Sequence, residues 1–174
     1  MRSMMVLAVT LAISTVLMSS ACSKQPSASY KDSVTAALEQ ADLKDISVSE
    51  DADRNTLTLD GKVHSDDAKA RAGDVAKANA GGRVIVNQLS VEPVGMESQA
   101  KDTSSNIDDG IESNYKAALS SNGLEKQRIR FDAKNGVLTL KGNVTTTAQR
   151  KEAERLAQAV PNVQQVLNQI DVKR

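Results

Sequence analysis

"NTLTLDGKV" runs from Asn55 to Val63, and "GVLTLKGNV" runs from Gly136 to Val144. The phrase L-T-L-x-G-x-V therefore occurs twice in 174 residues, 81 positions apart. Within each copy the apolar residues alternate. Leu57, Leu59 and Val63 share a face with Gly61, as Leu138, Leu140 and Val144 do with Gly142. A period of two marks a strand with one buried face, and a glycine inside it marks close approach of other backbone. The expected neighbour is a helix with small side chains, because an Ala-rich segment follows each strand: Ala72, Val75 and Ala76 after the first, Ala153, Leu156 and Ala157 after the second.

Working outward, the whole neighbourhood repeats. Tyr30–Val91 laid over Ile111–Val172 needs no gap, and 17 of 62 positions are identical; self-similarity at a fixed offset is the signature of a duplicated folding unit. Each unit opens with an apolar helical stripe, Tyr30, Val34, Ala37 and Leu38, or Ile111, Tyr115, Ala118 and Leu119. Asp42 and Gly123 stand where a left-handed residue ends such a helix, with Leu43 or Leu124 as the apolar contact beyond it. A hairpin follows, its turn announced in the second copy by Asn135-Gly136. A second helix begins at Ser65 or Thr146, the latter with Gln149 completing a capping box, and Val84–Val91 or Gln165–Val172 closes the unit.

The fold class is therefore α+β: two tandem α-β-β-α-β modules, each a three-stranded mixed sheet covered on one face by two helices. The L-T-L-x-G-x-V strand takes the centre, antiparallel to the strand before it and parallel to the last. The opposite face, carrying Thr58, Asp60 and Lys62, is expected to point to solvent.

The first 22 residues read as an address. Arg2 precedes an apolar run from Met4 to Met18, too short to span a bilayer comfortably at about 20 residues. Small residues then lead to Cys22, the only cysteine. "LMSSAC" resembles the bacterial lipobox, in which the cysteine becomes the lipidated N-terminus. Lipidation accounts for both the position and the solitude of this thiol, and several acyl chains anchor durably. Ser23 in place of an aspartate favours, by resemblance to enterobacterial lipoproteins, the outer membrane, facing the periplasm. Ser23–Ser29 is the tether, at most about 25 Å when extended. Residues 92–110 are read as the linker between a first module at 30–91 and a second at 111–172; as flexible chain they would span roughly 24 Å.

Removal of the leader takes Arg2 from 22 basic residues and leaves 21 against 22 acidic ones, a formal charge of −1. A phosphate-backbone binder needs a basic field and base stacking needs aromatics. With two Tyr, one Phe and no Trp, nucleic acid is not expected as a partner.

Paired "LTLDGKV" and "LTLKGNV", with the closing segments "VNQLSV" and "LNQIDV", resemble the BON-domain family of bacterial envelope proteins over roughly Tyr30–Val172. Gly61 and Gly142 match the family's most recognisable position; Gly81-Gly82, where the second copy has Asn162-Val163, departs from its commoner apolar residue. Tandem members include outer-membrane lipoproteins and a periplasmic protein induced by osmotic stress. The resemblance implies no enzymatic activity and no cofactor. It implies a role in membrane integrity and stress resistance, through phospholipid or outer-membrane proteins. A phospholipid-binding relative contacts lipid with an aromatic residue that aligns near Ile107–Ile111, one turn before Tyr115.

Little else suggests chemistry. His64 is the only histidine, and the single cysteine, Cys22, is taken by the lipid anchor, so no partner is left for a dyad or metal site; it reads as a solvated loop residue. Asp66 and Asp67 suit the first turn of a helix. Gly81-Gly82-Arg83 lacks phosphate-loop spacing and reads as a turn. Asn87 and Asn168 are identical in both copies and are either a structural amide pair or a ligand contact. A 62-residue unit buries only about 60% of its surface, so the two modules are expected to dock. The leading expectation is a lipid-anchored, non-enzymatic envelope protein that binds phospholipid or membrane proteins. The alternative is a holdase-like periplasmic chaperone, for which a polar outer sheet and a flexible linker are suited.

Overall fold

Each module is assembled from two amphipathic helices whose small residues let them lie against a short sheet. In the computed structural model, which describes residues 29–173, α1 (Tyr30–Gln40) buries Val34 and Leu38. The strands β1 (Ile46–Asp51) and β2 (Thr56–Val63) form the hairpin, α2 (Asp66–Asn79) buries Ala72 and Ala76, and β3 (Val84–Asn87) with β4 (Ser90–Val91) ends the unit. The second module repeats this with α3 (Glu97–Ser121), β5 (Arg128–Lys134), β6 (Val137–Val144), α4 (Thr147–Gln158) and β7 (Gln165–Val172).

The sheet orders are β1-β2-β3 and β5-β6-β7, with the repeated phrase in the middle of each. First and second strands pair antiparallel, second and last parallel. The parallel registers are equivalent, Thr56 opposing Val84 and Val137 opposing Gln165; the hairpin registers are not, since Ile46 opposes Gly61 whereas Ile129, the equivalent of Val48, opposes Gly142. The first module's closing strand is broken at Gln88 and Leu89, and its continuation β4 pairs with β2 separately; β7 runs unbroken.

Local signals act where expected. Asp42 and Gly123 adopt φ of 62° and 70°. In both copies the cap closes with a six-residue bond, Leu43 N donating to Leu38 O and Leu124 N to Leu119 O, each at 2.9 Å. Asn135 and Gly136, at φ of 50° and 82°, form the two-residue turn that suits strand twist. Thr146 and Gln149 make a reciprocal capping box, and Ser65 accepts from Ala68 N.

Three expectations change. The visitor at Gly61 and Gly142 is not the Ala-lined helix. A Cβ at Gly61 would collide with the carbonyl of Asp45, and one at Gly142 with that of Arg128. Those carbonyls stand at the entrance of the antiparallel neighbour, and both glycines sit at strongly positive φ, 131° and 119°. The glycine thus makes room for the incoming strand at a bent point of the sheet.

Second, the segment 92–110 is no coil beyond Met96. Residues 97–110 continue without a break into α3, a rod of about 21 Å at 1.5 Å per residue. Ala100, Ser104 and Asp108, spaced by four, are its half-buried side. Ser104 Oγ donates to Asn135 Oδ1 at 2.7 Å, and Asp108 accepts from the backbone N–H groups of Asn135 and Gly136 at 2.7 and 3.0 Å.

Third, the outer sheet faces are covered in part: Lys62 points to solvent as expected and Thr58 and Asp60 are half-buried, but their neighbours are not exposed. Thr56, Val86, Val137 and Thr139 are buried, yet none belongs to either module's own core. They are covered because the outer faces of the two sheets lie against each other. Lys134 Nζ reaches Asp60 Oδ2 across this boundary at 2.6 Å. Asn135 Nδ2 donates to Gln88 O at 2.9 Å, and Arg54 Nη1 donates to Gln169 O at 3.3 Å. Residues 54 and 135 are equivalent under the offset of 81, and so are 88 and 169. Each module therefore presents the same position to the other, which is the signature of a two-fold arrangement, here between copies fused in one chain.

Candidate functional site

A groove of about 720 Å³ lies where the second helix of module one, the N-terminal half of α3 and the Asn135-Gly136 turn converge. Its apolar wall includes Leu89, Met96, Ile107 and Val163; its polar end is Asp66, Lys69 and Asp108. Lys69 Nζ donates to Asn135 O at 3.1 Å. Loss of hydration on burial holds this ammonium below the usual lysine range, opposed by the charges of Asp66 and Asp108. Asn135 is the knot of the groove, joining α2 through Lys69, β3–β4 through Gln88 and α3 through Ser104 and Asp108.

Other sequence candidates lie apart from it or serve the fold. Cys22 lies outside the described residues, as do the leader and the tether up to Ala28. Asn87 Nδ2 donates to Lys69 O at 2.9 Å, and Asn168 Nδ2 to the equivalent Arg150 O at 3.4 Å and to Glu154 at 2.9 Å. The oxygens of both amides accept from the backbone two residues on, Leu89 and Ile170. The pair thus clasps each last strand to its helix. Tyr115 is fully buried, edge-on to Phe131 with centroids 5.0 Å apart, and its hydroxyl donates to Ala153 O at 3.1 Å. It is therefore a core residue and is not available to lipid; burial pushes its phenol well above the ordinary range.

His64 is exposed, with Nδ1 at 3.0 Å from Glu92 O. Asp66 and Asp67 occupy the first turn of α2. The Gly81-Gly82-Arg83 turn has a local purpose. The Tyr30 ring lies where a Gly81 side chain would stand, Arg83 stacks on that ring at 4.8 Å, and Arg83 pairs with Glu50 at 2.8 Å. Ser29 Oγ donates to the same carboxylate at 2.9 Å. That bond, more than the nearby Arg83 charge, holds the Glu50 carboxyl below the usual range.

Sequence reasoning did not assign Arg54, Asn135 or Gln165 to the junction between the modules, although it placed Asn135 in a turn and Gln165 at the start of a strand. The available signal was the offset itself: an interface between repeats draws on equivalent positions in both copies. Among the described residues no three His, Cys, Asp or Glu side chains gather as a metal site, and no helix is long and apolar enough to cross a membrane.

Two α-β-β-α-β units, duplicated and set against each other through equivalent surfaces, define a tandem-module α+β protein. The BON domain is recognised twice, over residues 28–93 and 107–174, and the chain belongs to the BON-domain family. Over 145 residues it is 30% identical to osmotically-inducible protein Y of Escherichia coli (strain K12), covering 80% of this chain and 69% of that protein. Among solved structures, the C-terminal domain of CdsD, a structural protein of the type III secretion system of Chlamydia trachomatis, overlaps 82% of this chain and 96% of its own at 10% identity, with a TM-score of 0.35. A second CdsD structure gives a TM-score of 0.31 at 14% identity, covering 84% of this chain and 62% of its own. Overlaps this loose carry no weight for the fold.

Proposed function

We propose that the chain is a non-enzymatic lipoprotein, anchored through Cys22 in the outer membrane and facing the periplasm, whose joined modules contact membrane phospholipid or envelope proteins and support envelope integrity under stress. The similarity to a protein named for osmotic induction supports the stress setting. One observation carries the membrane contact: an exposed apolar line beside the groove, with Val94 77%, Met96 57% and Ile107 40% exposed. Contiguous exposed apolar groups on a soluble domain mark an interaction surface. Ile107 also falls where the resemblance places lipid contact. Ile107 on α3, with Met96 at that helix's N-cap, takes the part of the missing aromatic.

The test is co-sedimentation of the Cys22→Ser protein with vesicles of phosphatidylethanolamine and phosphatidylglycerol. Binding at low salt, lost in Met96→Asp with Ile107→Asp, is the expected result; no binding by the parent protein sinks the lipid reading. The chaperone alternative drew on a solvated polar sheet face and a flexible linker. With those sheet faces set against each other and residues 97–110 helical, it loses that support.

A further inference from the structure

The approximate two-fold relation between the modules fails at the outer edges of the two sheets, and the failure leaves a binding edge open. In module one, Val84 N and Gln88 N donate inward to β2, to Asn55 O and Leu59 O. The backbone groups of Ile85 and Asn87 consequently face the outer edge of the sheet. Gln165 of module two closes that edge with its side-chain amide: Nε2 donates to Ile85 O at 2.7 Å and Oε1 accepts from Asn87 N at 3.3 Å. A primary amide set against alternate backbone groups imitates one peptide of an added strand.

In module two the equivalent edge belongs to β7. Gln165 N and Lys173 N donate inward, to Gly136 O and Val144 O, so Val166 and Asn168 turn their backbone groups outward. β7 pairs only with β6. The residue equivalent to Gln165 is Val84, which has no polar group and is 49% exposed. Along this edge runs a cleft of about 310 Å³, lined by Leu167–Val172 and flanked by Arg54 and Arg150. Asp171 is its only acidic lining residue. At the closed edge the positions of the two arginines hold Asn135 and Lys69, with Asp66 beside them. The open edge therefore carries two arginines where the closed one carries a single lysine; Asp51 stands 3.7 Å from Arg54 Nε, and Glu154 accepts from Asn168 Nδ2 at 2.9 Å, so Arg150 is the basic group there without an acidic partner in the cleft.

We propose that the β7 edge receives an extended polypeptide segment bearing acidic side chains, added as a further strand beside Val166 and Asn168, with carboxylates meeting Arg54 and Arg150. Unpaired edge groups are a template for strand addition, main-chain bonds supplying affinity and side-chain contacts selectivity. A second copy of β7 is a poorer occupant: antiparallel pairing would bring the Arg150 side chains of two copies together along one edge. This surface is distinct from the apolar groove and does not depend on lipid contact there.

The experiment uses the full chain purified in detergent and a short fluorescein-labelled peptide of alternating Glu and Val, with an alternating Lys and Val peptide beside it. Fluorescence anisotropy is expected to show binding of the acidic peptide only, and hydrogen exchange at Val166 and Asn168 is expected to slow when it binds. Val84→Gln, which supplies at the open edge the amide that Gln165 supplies at the closed one, is expected to weaken binding about tenfold or more. Arg150→Glu is expected to do the same, each variant keeping the parent melting temperature. Absence of binding by the acidic peptide, equal binding of the basic one, or affinity unchanged in both variants overturns the proposal. Peptide-independent dimers whose exchange is slowed at Val166 and Asn168 overturn it in favour of a second copy.

Discussion

Asn135 donates through Nδ2 to the carbonyl of Gln88, 2.9 Å away across the module boundary, and does so from a left-handed turn position, φ 50°. The same side chain accepts from Ser104. Asn135→Gly keeps the turn and removes both contacts. At a net worth of about 1 kcal/mol for each hydrogen bond, the variant is expected to lose about 2 kcal/mol in urea unfolding. An unchanged midpoint would mean that the knot at the groove contributes nothing to stability.

Gly61→Ala and Gly142→Ala should each cost more than about 3 kcal/mol, since a Cβ meets backbone carbonyl and a left-handed conformation at once. Gly73→Ala is the contrast. Gly73 has no positive φ, and its Cβ would meet only the Asn87 side-chain amide at 3.1 Å. Urea titration of the three variants separates backbone exclusion from an ordinary glycine effect.

Tyr115→Phe removes the hydroxyl bond to Ala153 O and is expected to cost about 1 kcal/mol, with vesicle binding unchanged. Reduced vesicle binding by a variant that remains folded would return Tyr115 to the lipid surface.

The carboxyl of Glu92 is held below its usual range by its bond to Lys62, 2.8 Å away, and that of Glu50 by Ser29, then by the Lys31 N–H and the Arg83 charge. Their unfolded values lie near about 4.3. Groups with lowered folded pKa stabilise fully above the unfolded value, and that stability is lost as pH falls through the folded one. The melting temperature is thus expected to hold from neutral pH down to about 4.5 and then to fall. Glu92→Gln with Glu50→Gln should melt lower at neutral pH and show a shallower fall on acidification. An equal acid response in parent and variant would assign it to other carboxylates.

What was legible in the sequence was what short-range chemistry decides. The left-handed caps at Asp42 and Gly123, the Asn135-Gly136 turn and the Thr146–Gln149 box each need only a few neighbouring residues, and the duplication repeats the cap in both copies. The outer face was not legible in the same way. Thr58 and Thr139 are the same residue at the same position, yet only Thr139 is buried, because its environment is set by the other module. Residues 97–110 read as coil because Ser, Thr, Asn and Asp are weak helix formers. Their helix is held by contacts from Ser104 and Asp108 to a turn about 30 residues away in sequence. The site was harder still: Gln165 and Val84 are aligned, and their difference acquires meaning only once both sheet edges are seen.

The central claim is that the two BON copies form one cooperative unit through equivalent surfaces. It is tested most directly by calorimetry of the full chain beside residues 111–172 alone. The account predicts a single transition for the full chain, at a temperature well above any transition of the isolated second module. Two separate transitions in the full chain, or a second module that melts unchanged when alone, would contradict it.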